Sequence, residues 1–161
     1  MNRETEITKL IYELIYHRYM MNKDKSKTIF SKLTLREYIV LHHFLKSSEG
    51  EVKLYLANLS QELGLSIHQA SRLATQLRDR GLVIWSHDGD GTDGSYLMVT
   101  DVGMKLIDEQ ERKLCDYYEK IIGEFGKEEM LAMISELKRF EDIVERENEG
   151  GTLTGGMDEA E

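Results

Sequence analysis

The 161-residue sequence predicts a mainly α-helical fold with a small β-hairpin: an α+β winged helix-turn-helix core flanked by long helices. Three observations predict it. Two short helical patterns meet at Gly64, a strand-loop-strand pattern follows over residues 82–99, and amphipathic helical periodicity continues through both ends of the chain. Proline is absent, which favours long uninterrupted helices.

The first helix is predicted from apolar residues that recur on one face. These are Ile7, Leu10, Ile11, Leu14, Ile15 and Tyr19, and we expect this helix to end near Lys25. A second helix begins after Thr34, because Glu37 three residues later completes a capping box. A short strand is expected between Val52 and Tyr55.

The helix-turn-helix follows. The first pattern runs from Leu59 to Leu63 and stops at Gly64, and the second begins after Ser66 and stops at Gly81. We expect the second helix to contact DNA through polar side chains outside its apolar stripe, because these can bond to base edges and phosphates. The candidate DNA-binding residues are Ser66, His68, Gln69, Ser71, Arg72, Thr75, Gln76 and Arg78. Arg72 is the favoured base contact, whereas Arg78 and Arg80 suit phosphates or ordinary solvated positions.

The hairpin is predicted from two apolar runs, residues 82–85 and 95–99, on either side of a polar, glycine-rich loop. The loop contains G-x-G-x-x-G, but a dinucleotide-binding motif must open a helix and here a strand follows. Its aspartates do not form an EF-hand, since Asp93 and Val99 stand where that motif requires Gly and Glu. We therefore predict no nucleotide cofactor and no metal site at the hairpin.

Two long helices are expected after the hairpin. Thr100 caps the first and Asp101 lies in its first turn, where a carboxylate suits the helix dipole. Gly123 and Gly126 mark a break before the last helix. We predict a single domain over residues 1–147, with the winged helix-turn-helix at about 33–100 and dimerisation helices at about 4–28 and 101–147. Residues 148–161 are expected to form a disordered acidic tail.

A homodimer is expected because the helices at both ends carry apolar stripes that the small core cannot cover. Pairing across a two-fold axis would bury these stripes, and such dimers are the commonest soluble assembly. The alternative is that the helices fold back on their own subunit. A dimer would place two recognition helices about one helical turn of DNA apart, on a roughly palindromic site of double-stranded DNA.

The net charge is −9, but the acid is unevenly distributed. Residues 1–85 carry thirteen Lys and Arg against nine Asp and Glu, whereas residues 86–161 carry eight against twenty-one, so the helix-turn-helix lies in the basic half. A lone Cys115 excludes an internal disulfide and suits the cytoplasm. The apolar runs are too short for a membrane span, so we expect no membrane partner.

Signals for other chemistry are weak. His42 and His43 are adjacent and point in different directions on a helix, which favours core or interface positions over a shared metal. A redox role for Cys115 would lack a resolving cysteine within the chain. The sequence has no paired nucleophile and base, HExxH motif or P-loop, so we do not expect an enzyme or a cofactor.

Three segments, Leu63–Ser66, Arg80–Val83 and Thr100–Gly103, resemble those of the MarR family of bacterial regulators, and the similarity covers roughly residues 5–146. The resemblance implies an intertwined homodimer that binds operator DNA as a transcriptional regulator, usually a repressor. It also implies release by a small aromatic or acidic effector between the dimerisation helices and the DNA-binding core. Candidate lining residues are Tyr12, Tyr16, His17, Tyr38 and His42, which could also simply pack at the dimer interface.

The hairpin over residues 82–99, which forms the wing, departs from the family pattern. Many members carry Asp-Arg-Arg at its tip, where this chain has Gly91, Thr92 and Asp93; Asp88 and Asp90 add further negative charge. We expect phosphates to repel such a wing. Position 67, often basic in the family, is Ile67. The acidic wing and the net charge of −9 support an alternative function, a winged-helix dimer that serves as a protein-interaction or regulatory module without binding DNA.

Overall fold

The computed structural model describes residues 3–23, 30, 32–46, 52–89 and 94–150, and there the elements follow the predicted order. The helices are α1 (Arg3–Asn22), α2 (Leu35–Ile39), α3 (Leu56–Leu63), α4 (Ile67–Asp79), α5 (Asp101–Phe125) and α6 (Lys127–Gly150). The strands are β1 (Leu54–Tyr55), β2 (Val83–His87) and β3 (Ser95–Val99). The mainly helical fold with a small antiparallel sheet is therefore confirmed.

The second helix has a feature that the sequence does not indicate. Its capping box forms as predicted: Glu37 N–H donates to Thr34 Oγ1 and Thr34 N–H donates to Glu37 Oε1, each over 3.1 Å. After Ile39, however, the helix continues as a π-helix over Val40–Leu45. Leu41 and Leu45 of this segment are both buried in the core.

The ends of the first and the last helix differ from the predicted boundaries. Helix α1 ends at Asn22, and Lys25, where we expected its end, lies outside the described residues. Helix α6 continues to Gly150, so residues 148–150 are helical and do not belong to a disordered tail. Residues 151–161 lie outside the described part of the chain.

The chain divides into two compact units, Met1–Leu114 and Cys115–Glu161. In the first unit the strands pair antiparallel in the order β1-β3-β2, with Leu97 between Leu54 and Trp85. The helix-turn-helix packs on this sheet, and the fully buried side chains include Leu33, Leu41, Leu45, Leu59, Leu77, Leu97 and Ile107. In the second unit, all large apolar side chains of α6 between Leu131 and Val144 that the structure describes are exposed.

The start of α5 is joined closely to the end of the helix-turn-helix. Thr100 N–H donates to the Leu82 carbonyl over 3.0 Å, and Thr100 Oγ1 donates to the Gly81 carbonyl over 2.6 Å. A Cβ at Gly103 would lie 2.3 Å from the Leu82 carbonyl oxygen, so only glycine allows this approach. The two motifs around Gly81 and Gly103 are thus one structural joint.

Among the helices of the described residues, none has the length and apolar character needed to cross a membrane.

Candidate nucleic-acid interface

The turn of the helix-turn-helix is fixed by its glycine. Gly64 has φ +62°, a left-handed conformation that suits glycine at a helix C-terminus. Leu65 N–H donates to the Ser60 carbonyl over 2.9 Å, and Ser60 Oγ donates back to the Leu65 carbonyl over 2.5 Å. These bonds set the direction in which the chain enters α4.

Ser66 and Gln69 form a capping box at the start of α4. Gln69 N–H donates to Ser66 Oγ over 3.1 Å, and Ser66 N–H donates to Gln69 Oε1 over 2.9 Å. A glutamine that reads adenine bidentately needs both its amide oxygen and its amide nitrogen. While the box is intact, that oxygen is engaged, so a base contact by Gln69 would use its amide NH₂ group.

The predicted polar residues lie on α4 or at its N-cap, and they differ in how far they are exposed. His68, Gln69, Arg72, Gln76 and Arg78 are exposed, and Ser66 is exposed at the N-cap. Ser71 and Thr75 are half-buried, and Thr75 Oγ1 donates to the Ser71 carbonyl over 2.9 Å. The opposite stripe, Ala70, Leu73, Ala74 and Leu77, is buried in the core as predicted.

Arg78 links the recognition helix to the wing. Its guanidinium carbon lies 5.4 Å from the centre of the Trp85 ring on β2, and its Nη2 lies 3.4 Å from Asp79 Oδ1. At this distance the guanidinium makes a cation–π contact that joins α4 to the hairpin. Arg78 is half exposed, so its charge stays available to a phosphate.

Arg80 has a structural role that the sequence did not indicate. Its guanidinium bonds to the Glu37 carboxylate and to the Lys32 carbonyl. Glu37 is buried, with 7% of its surface exposed. The expectation of an ordinary solvated charge is therefore wrong for Arg80, since it neutralises a buried acid of the α2 capping box. The other alternative, a phosphate contact, is not tested by this pairing and stays a prediction.

The wing residue Asp88 is not an unopposed negative charge. Lys53 Nζ lies 3.1 Å from Asp88 Oδ1, and the Tyr55 hydroxyl donates to Asp88 Oδ2 over 2.6 Å. The bonds from Tyr55 and Lys53 lower the pKa of Asp88 below its ordinary value, and the Asp88 carboxylate raises the pKa of both partners. The expected repulsion by Asp88 is thus partly neutralised. Asp90, Gly91, Thr92 and Asp93 lie outside the described residues.

Two cations near this surface were missed. Arg36 is exposed and, with Leu73 and Gln76, lines a shallow groove between α2 and α4. Lys53 meets Asp88 across 35 residues of sequence, so no local pattern indicates that pair.

The candidate effector residues fall into two groups. On α1, the Tyr12 and Tyr16 rings are 6.0 Å apart and the Tyr16 and His17 rings 5.4 Å apart. On α2 and its π-helical continuation, Tyr38 and His42 stack at 5.2 Å.

His42 also contacts α5. Its Nε2 lies 2.8 Å from Glu111 Oε1, and Lys46 Nζ lies 2.6 Å from the same oxygen. The hydrogen bond to Glu111 raises the pKa of Lys46. His42 and His43 are both exposed, so neither is a core histidine. The alternative, that they lie at an interface, stays a prediction.

Within the described residues, no group of three or more His, Cys, Asp or Glu side chains is arranged to hold a metal ion. Cys115 is exposed and unpaired with another cysteine there.

No family model and no curated protein matches the sequence, but solved structures match its fold. BpsR of Bordetella bronchiseptica, whose DNA binding is regulated by 6-hydroxynicotinic acid, is 19% identical with a TM-score of 0.63, covering 82% of this chain and 93% of its own. A MarR family protein from Bacillus stearothermophilus is 20% identical with a TM-score of 0.63, covering 89% and 98%. NadR, solved with 4-hydroxyphenylacetate, is 19% identical with a TM-score of 0.60, covering 80% and 89%.

These neighbours span nearly the whole of their own chains, so the likeness includes the flanking helices as well as the winged core. The resemblance seen in three short sequence motifs is confirmed at the level of architecture: the chain has the winged helix-turn-helix fold of MarR family regulators.

Proposed function

We propose that this chain is a DNA-binding transcriptional regulator, and specifically a repressor, that acts as a homodimer on a roughly palindromic operator. One observation carries the proposal. Helix α4 exposes a continuous polar face, including His68, Arg72 and Gln76, while a capping box and a buried apolar stripe fix its position. A rigid helix with exposed donors and acceptors is what base recognition in the major groove requires.

In this function the candidate residues have different tasks. Arg72 projects from the middle of the exposed face and is assigned to a base edge, with His68 and Ser71 beside it. Arg78, held over Trp85, and Arg36, on the neighbouring helix, are assigned to phosphates, which position the protein without specifying sequence.

Exposed apolar side chains support the homodimer. On α1, Leu10 is 70% exposed and Leu14 51%; on α6, Leu137 is 53% exposed and Phe140 48%. Each set recurs at helical spacing, so each helix offers a stripe that an identical copy could cover. We infer that α1, α5 and α6 form the dimerisation region.

The effector assignment rests on the fold and on the aromatic residues. The DNA binding of one fold neighbour, BpsR, is regulated by 6-hydroxynicotinic acid, and another, NadR, was solved with 4-hydroxyphenylacetate; both are small aromatic acids. We propose an effector of this chemical class, with Tyr12, Tyr16, His17, Tyr38 and His42 as candidate contacts. Its binding would change the spacing of the recognition helices by favouring one dimer geometry.

The test is a fluorescence-anisotropy titration against duplex DNA from upstream of the protein's own gene, beside a scrambled duplex of equal length. At about 150 mM salt, non-specific binding is weak, with Kd about 10⁻⁴–10⁻⁶ M. We expect tight binding to the upstream duplex only, and loss of that preference in Arg72→Ala. Equal weak binding to both duplexes would instead favour a protein-interaction module.

A further inference from the structure

At the end of the wing, two hydrogen-bond donors converge on one anion. Lys53 Nζ lies 3.1 and 3.2 Å from the two carboxylate oxygens of Asp88, and the Tyr55 hydroxyl donates to Oδ2 over 2.6 Å. A cation and a hydroxyl on a single carboxylate use the same donors, at the same distances, as a phosphate oxygen would.

Both donors contact Tyr96 on the central strand β3. Tyr55 pairs with Tyr96 in the β1–β3 register, and their rings lie 5.8 Å apart. Lys53 Nζ lies 4.6 Å from the centre of the Tyr96 ring. Tyr96 itself is only 9% exposed. The site is thus built on the sheet and does not depend on the wing loop for its shape.

The anion, by contrast, is easily displaced. The Lys53 and Asp88 side chains are 44% and 42% exposed, and exposed ion pairs contribute little to stability. Asp88 follows directly after β2, at the first residue of the loop. Its backbone N–H bonds to the Gly94 carbonyl over 2.8 Å, which places the carboxylate beside the donors.

We propose that Lys53 and Tyr55 form a binding site for a DNA backbone phosphate, which Asp88 occupies in the free protein as a competing anion. This inference rests on the proposed DNA-binding function and adds a phosphate contact where the hairpin loop begins. The wing then weakens binding at this point because its own carboxylate must be displaced before a phosphate can enter.

The test measures binding to a labelled random-sequence duplex between about 50 and 200 mM salt, since phosphate contacts carry no sequence information. We expect Asp88→Asn to bind severalfold more tightly at the lowest salt. The slope of log K against log salt should steepen by about 0.9 for each site engaged. Asp88→Ser serves as a second variant, and melting temperatures of both verify folding.

A double-mutant cycle separates this site from a general effect of net charge. In a Lys53→Met background, Asp88→Asn should give no gain, and in a Tyr55→Phe background the gain should be smaller. A gain of equal size without Lys53, or no gain in wild-type background, overturns the proposal. If the wild-type protein shows no preference for its operator over a scrambled duplex, the proposed function is contradicted. The double-mutant cycle on random-sequence DNA does not depend on that preference and tests this site alone.

Discussion

Removing Arg80 should destabilise the protein without removing a DNA contact. Arg80→Ala leaves the Glu37 carboxylate, whose side chain is 9% exposed, without its guanidinium partner. Breaking a fully buried pair costs about 3–5 kcal/mol, whereas exposed pairs contribute about 0–1 kcal/mol. Because the Arg80 side chain is 40% exposed, water partly replaces it. We therefore expect a loss of about 2 kcal/mol, between these two limits.

For a chain of this length, that loss corresponds to a fall in melting temperature of about 4–8 °C. The assay is thermal unfolding followed by circular dichroism at one fixed protein concentration, because dimerisation couples stability to concentration. Glu37→Gln in the Arg80→Ala background should recover part of the loss. The amide keeps an oxygen for the Thr34 N–H but carries no buried charge.

DNA binding provides the second readout. Measured well below the melting temperature, Arg80→Ala should keep the wild-type salt dependence, whereas removal of a phosphate contact would lower the slope by about 1. An unchanged melting temperature, or no recovery in the double variant, would refute the assignment of Arg80 to the buried acid.

Three further predictions concern the joint, the recognition helix and the wing. Gly103→Ala should lower the free energy of unfolding, measured in urea, by about 1–3 kcal/mol, because the new Cβ would lie 2.3 Å from the Leu82 carbonyl oxygen. Gly123→Ala, with nothing within 4 Å, is the matched helix control and should not destabilise. Arg72→Ala should lose about 1–3 kcal/mol of preference for the operator over a scrambled duplex; unchanged preference would contradict its base contact. An NMR titration should give Asp88 a pKa below its ordinary value of 3.8, and this pKa should rise in Lys53→Met. Its depressed pKa gives a contribution to stability that is present above 3.8 and lost as the pH falls through the lower folded value.

Local signals in the sequence were sufficient for the elements and their order. The capping box at Thr34 forms as its spacing predicts, and Ser66 and Gln69, which have the same spacing, form a second one. Gly64 ends α3 in the left-handed conformation for which glycine is suited. The buried stripe of α4 follows from helical periodicity, so its polar face could also be predicted.

Contacts between distant residues were not predictable in the same way. The Glu37–Arg80 pair joins residues 43 apart, and the Lys53–Asp88 pair residues 35 apart. Both change the function assigned to a charged side chain. Charge type alone could not decide whether Arg80 meets a phosphate or a buried carboxylate, because that depends on how α2 packs beside the end of α4.

The capping box at α4 shows how folding limits recognition. Periodicity places Gln69 on the exposed face, which made it a candidate for base contact. The amide oxygen of Gln69 instead accepts the Ser66 N–H. Gln69 thus belongs to the predicted site, although its amide oxygen already accepts a hydrogen bond from the helix N-cap.

Selection of bound duplexes from a random DNA pool, followed by sequencing, tests the proposed operator recognition and requires no assumption about the operator sequence. A homodimer with two copies of α4 should select an inverted repeat, with half-sites about 10–10.5 base pairs apart, and Arg72→Ala should lose the preference at one position in each half. Recovery of sequences with no shared motif, from protein that is folded and dimeric, would contradict sequence-specific regulation by this chain.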